Sequence, residues 1–266
     1  MYKCWLRSIL TLMLCVGPSV GYAAFLTDGG GSGGTFANSN GVGASGASGT
    51  LTVDGGNGKI TFCAGQLNIT TSATISKCLQ IGVMPTASLA GNVQIFQGGG
   101  QVYTVSGHNI TGVVDAIINL ATGYVLWCPA FEDATNKAVA SGSICQSGLA
   151  TTATGTRIAS APFFGGLLVL DETDGKISFC NAYYDLSRLP GKWTYSKCVL
   201  EGIMPTTLLL GNAQIAEFGA YQTYPATRSS FTVFNKATGV ITLCPTITNA
   251  TGVIQAGACT TPKKVF

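Results

Sequence analysis

Hydrophobic and polar positions alternate along most of the chain in short runs that are interrupted by turn residues. Leu51 and Val53 precede a turn at Asp54, and Ile60 and Phe62 follow it, again at every second position. This pattern predicts a β-hairpin with one buried face, because successive strand side chains point to opposite sides of a sheet. No convincing amphipathic helix follows the N-terminal segment, so the sequence predicts an all-β fold.

The same hairpin recurs four times. Each copy opens with Asp or Asn, has Gly at the fifth place, and has Cys five residues after that glycine. The opening side chain can bond its own backbone two residues on, and we expect the glycine to take the positive-φ position of a type I turn with a bulge. The predicted turn glycines are Gly58, Gly123, Gly175 and Gly239.

The first and third hairpins are the most similar and indicate a duplication. Gly58-Lys-Ile-Thr-Phe-Cys63 is matched 117 residues later by Gly175-Lys-Ile-Ser-Phe-Cys180, and Ser76-Lys-Cys78 returns as Ser196-Lys-Cys198. Internal repeats of this kind mark repeated structural units. We therefore predict a repeat β domain over residues 50–262, with duplicated halves at about 50–147 and 148–262.

The N-terminus predicts export. Lys3 and Arg7 precede a short apolar run, and small residues end at Ala23, which is typical of a signal peptide over residues 1–23. The run is too short to span a membrane, so no transmembrane segment is expected. Residues 24–49 are rich in Gly and Ser and predict a flexible segment. The protein is expected to be secreted, periplasmic or at the cell surface.

Removal of the signal peptide leaves an even number of cysteines in an oxidising compartment, which favours disulfides over free thiols or metal ligands. A second cysteine follows the first in each hairpin module, so pairing within modules is the simplest arrangement. The predicted pairs are Cys63/Cys78, Cys128/Cys145, Cys180/Cys198 and Cys244/Cys259.

Four compact β modules in series favour a four-bladed β-propeller with a disulfide in every blade. Two tandem β-sandwiches are the alternative, which the stronger similarity between the two halves also supports. The Thr-Gly-x-Val turn, as at Thr122 to Val125, resembles the hairpin of quinoprotein-type propeller blades. That resemblance is confined to the turn and implies no function.

The composition limits which kinds of molecule this protein is expected to bind. Only 9% of residues are charged, against about 25% in an average domain, and 46% are hydrophobic, which excludes charge-driven disorder. Without Lys3 and Arg7 the 14 basic residues become 12 against 11 acidic ones, so no nucleic-acid partner is expected. No cofactor motif or metal-binding cluster is present. The acidic run from Asp171 to Asp174 coincides with a hairpin turn and is assigned to turn chemistry rather than calcium binding.

The third module departs from the first between its two cysteines. The interval from Cys63 to Cys78 holds no aromatic residue, whereas the interval from Cys180 to Cys198 holds several. Aromatic faces beside polar groups suit stacking on sugar rings or contact with a protein loop. Ordinary packing within the strands is the alternative. The candidate ligand-binding residues are Tyr183, Tyr184, Asp185, Arg188, Trp193 and Tyr195.

These features favour a secreted, non-catalytic binding module that presents loops to a glycan or an extracellular protein. A structural or assembly protein of an extracellular layer or appendage, with self-association, is the alternative. A polysaccharide-acting hydrolase is less favoured, because nothing in the spacing selects a carboxylate pair or gives His108 a catalytic partner. The acidic residues it could use are Glu132, Asp133, Asp185, Glu201 and Glu217.

Overall fold

The computed structural model contains four antiparallel β-sheets and no helix among the residues it describes. Among these residues, no helix has the length and hydrophobicity of a membrane-spanning segment. The described residues are 35–42, 47–68, 73–89, 91–96, 101–105, 108–133, 138–140, 145–149, 156–160, 166–185, 192–223, 226–248, 254–255 and 258–265. The predicted signal peptide lies outside them.

The first half of the chain forms sheets 1 and 2. Sheet 1 has four strands in chain order: β1 (Thr35–Val42), β2 (Ala47–Asp54), β3 (Lys59–Asn68) and β4 (Ala73–Val83). Sheet 2 has six: β5 (Val93–Phe96), β6 (Gln101–Val105), β7 (His108–Asn119), β8 (Tyr124–Asp133), β9 (Ala138–Ala140) and β10 (Gln146–Leu149). Its main path runs β10-β8-β7-β5, with β6 beside β7 and β9 beside β8.

The second half forms sheets 3 and 4. Sheet 3 has four strands in chain order: β11 (Arg157–Ser160), β12 (Leu167–Asp171), β13 (Lys176–Asp185) and β14 (Lys192–Ile203). Sheet 4 has five: β15 (Ala213–Thr223), β16 (Ala226–Asn235), β17 (Val240–Thr248), β18 (Ile254–Gln255) and β19 (Lys263–Lys264). Its path runs β15-β16-β17-β18, with β19 beside β17.

Two buried cores, one in each half of the chain, join the sheets in pairs. In the first, buried Leu51 and Phe62 of sheet 1 pack with Ile117 and Leu126 of sheet 2. In the second, the corresponding faces of sheets 3 and 4 form a core that contains Leu168, Leu170, Ile177, Phe179, Phe231 and Val233. Sheet-on-sheet packing follows from the alternation, because each sheet buries the apolar side of its pleat.

A third core joins the two halves. Ile118 and Trp127, on the opposite face of sheet 2, are buried together with Leu167 and Val169 of sheet 3. Sheets 2 and 3 are thus covered on both faces, and this is why β12 has five consecutive buried residues rather than an alternating pattern. The buried contacts run in series from sheet 1 to sheet 4.

The hairpin turns are stabilised by backbone hydrogen bonds of their glycines, and two of these glycines also bond the chain that leaves the sheet. Each turn glycine donates its N–H to the carbonyl of the residue that opens its turn, at 2.7–2.9 Å, and its φ lies between 70° and 75°. The glycine carbonyl then accepts from the chain that leaves the sheet: Met84 N donates to Gly58 and Met204 N to Gly175, both at 2.8 Å. A Cβ on Gly58 or Gly175 would lie 2.0 Å from the methionine carbonyl oxygen.

In the second and fourth turns, called the even turns, the opening residue is Asn, and its side chain makes a further hydrogen bond. Asn119 Nδ2 donates to Ala87 O at 2.8 Å, and Asn235 Nδ2 donates to Thr207 O at 3.0 Å. Ala87 and Thr207 belong to the two crossover loops, residues 84–92 and 204–212, which connect sheet 1 to sheet 2 and sheet 3 to sheet 4. Each crossover loop is therefore bonded to the turns of both sheets that it connects.

All four predicted disulfides are present. The odd pairs, Cys63–Cys78 and Cys180–Cys198, join residues directly opposite each other in neighbouring strands. The even pairs bring Cys145 and Cys259 against the preceding sheet, where their N–H groups donate to Ile81 O and Glu201 O. The even disulfides thus link sheet 2 to a segment that is bonded to sheet 1, and sheet 4 to a segment that is bonded to sheet 3.

The all-β prediction is confirmed, and the four-bladed propeller is not, since no sheet is closed or curled. Part of the predicted Gly- and Ser-rich segment 24–49 belongs to strands. β1 and the start of β2 lie inside it, paired from Thr35 with Asp54 to Val42 with Ala47. Ordered pairing with β3 brings this Gly-rich sequence into sheet 1. At the other end β19 extends past residue 262.

We predict that Gly175→Ala destabilises the protein far more than Gly211→Ala. Both glycines have positive φ, 75° and 71°, but only Gly175 has a carbonyl oxygen where the new Cβ would lie. Gly211→Ala should cost about 1–2 kcal/mol from backbone strain, and Gly175→Ala at least about 3 kcal/mol because the chain must also shift. Urea unfolding of both variants measures the difference, and equal costs would contradict the close approach.

We predict that mild reduction opens Cys63–Cys78 first. Cys78 is exposed, whereas Cys128, Cys180 and Cys244 are fully buried. Differential alkylation followed by peptide mass spectrometry gives the order.

Full reduction should lower the unfolding temperature, since each closed loop stabilises by roughly 3 kcal/mol in the chain-entropy model. A reduced protein that melts with the oxidised one would show that the disulfides carry no stability.

Candidate functional site

The aromatic candidates lie at one end of sheet 3, where β13 and β14 continue past the Cys180–Cys198 disulfide. Tyr183 pairs with Tyr195, and Tyr184 pairs with Trp193 in the antiparallel register. A register shift falls between Tyr183 and Tyr184, as at a β-bulge, which changes the direction of a side chain relative to the regular pleat. We call this end, β13 from Tyr183 and β14 up to Tyr195, the aromatic hairpin end.

Charged and polar groups extend the same pairing. Asp185 stands directly opposite Lys192, which places an acid and a base at the last pair of the two strands. Asp185 is half-buried, and Tyr184 is only 4% exposed, so Tyr184 packs within the fold. Tyr183, Trp193 and Tyr195 lie in described strands, and only their backbone positions are used here. Arg188 lies outside the described residues.

The equivalent pairs in sheet 1 carry different chemistry. Counting from the disulfide, Gln66 and Ile75 occupy the register position that Tyr183 and Tyr195 occupy in sheet 3. The duplication therefore preserves the backbone pairing and changes the side chains. The aromatic residues are a property of sheet 3 in this comparison.

A second feature was missed by sequence reasoning. In the crossover loop 204–212, Leu208 and Leu210 are 65% and 61% exposed on either side of the fully buried Leu209. Leu208 has a φ of 51°, which is uncommon for a residue with a branched side chain, and Ser88 has the same conformation in the first half. The replacement of Ser88 by Leu208 between the halves was the available signal.

The loop that carries these leucines is held firmly. Leu209 N donates to Thr206 O at 3.0 Å, and Asn212 N donates to Leu209 O at 2.9 Å. The loop leaves sheet 3 beside Gly175, at the start of β13, whereas the aromatic hairpin end is at the close of β13. A ten-residue strand is about 30 Å long. The two features are therefore separate surfaces.

The acidic run of the third turn is occupied by protein partners. Asp171 Oδ2 pairs with Arg157 Nη2 at 2.9 Å, and both side chains are fully buried. Arg157 Nη1 also donates to Leu120 O and Ala121 O, in the turn of sheet 2. Glu172 accepts from Gly211 N at 3.1 Å, and Asp174 pairs with Lys176 at 2.6 Å. No group of three potential metal ligands occurs among the described residues.

The carboxylates considered for hydrolysis are spread over all sheets but the first. Glu132 and Asp133 end β8, Asp185 ends β13, Glu201 lies in β14 and Glu217 in β15. His108 begins β7, at the pair with Val105. Burial raises the pKa of Glu217. The strand assignments alone select no catalytic pair among them.

Glu201 is the most unusual acid of the described residues. It is 4% exposed, neither carboxyl oxygen has a hydrogen-bond partner, and burial raises its pKa to about 7. The corresponding residue of the first half is Ile81, which is buried in the first core. A buried acid with a raised pKa is typical of functional sites, but here it replaces a core isoleucine beside Cys259.

Comparison of the chain with protein-family models found no match, and neither curated proteins nor solved structures gave one. The functional assignment therefore depends on the residues of this chain.

We predict that Glu201 lowers stability as pH rises from about 5 to 8. Its folded-state pKa of about 7 exceeds the ordinary value of 4.5, so the folded protein holds the proton longer than the unfolded chain does. The stability associated with this group is complete below its unfolded pKa and is lost as pH rises through its folded pKa, a change of roughly 1–3 kcal/mol. Urea unfolding at several pH values measures it.

Glu201→Gln should remove this part of the pH dependence, and Glu201→Ile should make the second half resemble the first and raise stability at pH 8. Glu217→Gln is the comparison: burial raises the pKa of Glu217 as well, but this side chain is more exposed than Glu201, so its substitution should change the profile less. A Glu201→Gln variant with the pH profile of the parent would contradict the assignment.

Proposed function

We propose that this protein is an exported, non-catalytic binding module whose ligand is a glycan or an extracellular protein, bound at the aromatic hairpin end of sheet 3. The observation that carries the proposal is the pairing of Tyr183 with Tyr195 across β13 and β14, next to the pair that Trp193 forms with the buried Tyr184. Cross-strand pairs place aromatic side chains about 5 Å apart on a rigid backbone. Such groups supply a large contact area at a low cost in conformational entropy.

The scaffold supports this use. The disulfide between Cys180 and Cys198 lies three pairs from the Tyr183–Tyr195 pair and holds the two strands in register. Sheet 3 is also covered by sheet 2 on one face and by sheet 4 on the other. A site on strands supported in this way is held more precisely than a site on a free loop.

Four disulfides suit an oxidising compartment, which supports export to the periplasm, the cell surface or the medium. For the architecture, the alternative of two tandem sandwiches has more support than the four-bladed propeller. Its support is the series of three cores and the 48% exposure of Leu243 on the outer face of sheet 4, which a closed ring would cover.

We predict that a glycan array probed with the mature, oxidised protein shows binding that Trp193→Ala and Tyr195→Ala weaken at least about tenfold, as expected for aromatic anchors. Ile75→Ala is the matched control, because Ile75 occupies the position in sheet 1 that Tyr195 occupies in sheet 3. Leu208→Ser, which restores the residue of the first half, should leave binding unchanged.

Binding that survives both aromatic substitutions but disappears with Leu208→Ser would move the site to the crossover loop 204–212. If no glycan binds, the carbohydrate form of the proposal fails and an extracellular protein becomes the ligand to test.

A further inference from the structure

The duplication relates the outer face of sheet 4 to a face that is buried in sheet 2. Asn119 and Asn235 hold equivalent places, each opening a turn and bonding a crossover loop. Counting back and forward from them, Ile118 corresponds to Phe234 and Trp127 to Leu243. In sheet 2 this face packs on sheet 3, and Trp127 is 4% exposed. In sheet 4 no other sheet of the described residues covers it, and Leu243 is 48% exposed.

The outer face of sheet 1 corresponds in the same way to the partner of that buried face. Thr52 and Cys63 hold the places that Val169 and Cys180 hold in sheet 3. Val169 and Cys180 are fully buried against sheet 2, whereas Thr52 and Cys63 are only half-buried. The series of sheets 1 to 4, which we call the stack, therefore ends in two faces, the outer face of sheet 1 and the outer face of sheet 4. The faces that correspond to them in sheets 3 and 2 are packed against each other at the centre of the stack.

We propose that the outer face of sheet 4 binds the outer face of sheet 1 in a second copy of the protein. The contact would repeat the interface between sheets 2 and 3, so that the stack continues from one copy into the next. Such an interface joins two different surfaces and leaves one of each free at the ends. It produces open, head-to-tail chains rather than a closed dimer.

Charge complementarity supports this partner. At the internal interface Arg157 stands opposite Asp171 in the register of β11 and β12 and binds the carbonyl of Leu120 across the interface. Sheet 1 keeps the acid as Asp54 but has Thr35 opposite it, without a guanidinium. The cation is supplied from the other side, by Lys236.

Lys236 is placed by the same contact as its counterpart. Leu120 N donates to Asn92 O at 2.8 Å, and Lys236 N donates to Asn212 O at 2.9 Å. Leu120 packs against the core between sheets 2 and 3, whereas Lys236 is exposed. When sheet 4 repeats that packing on a second copy, Lys236 lies at the rim of the contact, on the side of the second copy's Asp54.

The interface is expected to be weaker than the internal one. Threonines of sheet 1 replace Leu167 and Val169, so less apolar area is buried. An ion pair at the rim is screened by salt. Association should therefore be reversible, favoured by high protein concentration and weakened by salt.

The test is sedimentation equilibrium of the mature, oxidised protein over a wide concentration range at low salt. The parent should show a weight-average mass that rises with concentration. D54K and K236E each place like charges across the contact and should lower the association constant at least tenfold. An equimolar mixture of the two variants should associate again, because each contact between a D54K copy and a K236E copy joins opposite charges.

Lys197→Glu, at an exposed position of sheet 3, is the charge control and should associate like the parent. Thermal unfolding of each variant confirms folding. A parent that stays monomeric throughout would overturn the proposal, as would a mixture of D54K and K236E that fails to associate. A fall in the unfolding temperature of K236E at unchanged monomeric mass would also overturn the proposal, since Lys236 would then contact sheet 1 of its own chain. D54K does not serve for this comparison, because it also removes the hydrogen bond from Gly56 N to Asp54. Glycan binding by monomeric variants tests the proposed ligand site independently.

Discussion

The arrangement of the sheets depends on how each crossover loop is bonded at its two sides. The loop that leaves sheet 1 begins at Met84, whose N–H is bound by the turn glycine of that sheet, and its middle is bound by Asn119 from the turn of the next sheet. Met204 and Asn235 do the same in the second half. Because both bonds come from turns, the loop fixes the two turns relative to each other, and the apolar faces of the two sheets meet. The buried cores then follow from the alternation along the strands.

These bonds also give a reason for the choice between Asp and Asn at the opening of the turns. Both side chains accept a backbone N–H two residues on, as Asp54 does from Gly56 and Asn119 from Ala121. Only the amide can also donate to a loop carbonyl, so the even turns, which receive a crossover loop, require Asn. In the third turn the carboxylate is needed instead, because Asp171 neutralises the buried Arg157. The opening residue of this turn motif thus makes two different kinds of long-range contact.

The hairpins, the turn glycines and the disulfide partners could be predicted because each depends on residues close in sequence. β1 could not, since its Gly- and Asn-containing sequence has no apolar alternation and is ordered only by pairing with β2. The packing of sheet 2 on sheet 3 could not be predicted from local sequence patterns either. It depends on Arg157, which donates to carbonyls more than thirty residues earlier in the chain. At the candidate site, sequence comparison of the modules found the aromatic residues but not their cross-strand pairing. It overlooked Leu208, whose exposure depends on the conformation of the loop.

The position of the odd disulfides determines how the molecule transmits force along its chain. Tension applied at the two ends passes from Cys180 to Cys198 through the sulfur atoms and bypasses the residues between them. The aromatic hairpin end lies inside that closed loop. Stretching the protein therefore cannot separate its two strands at the disulfide. The same holds for the loop between Cys63 and Cys78 in sheet 1. If the protein were anchored at one end and loaded at the other, the strand ends inside these disulfides would carry no tension, and the segments outside the disulfides would bear the extension.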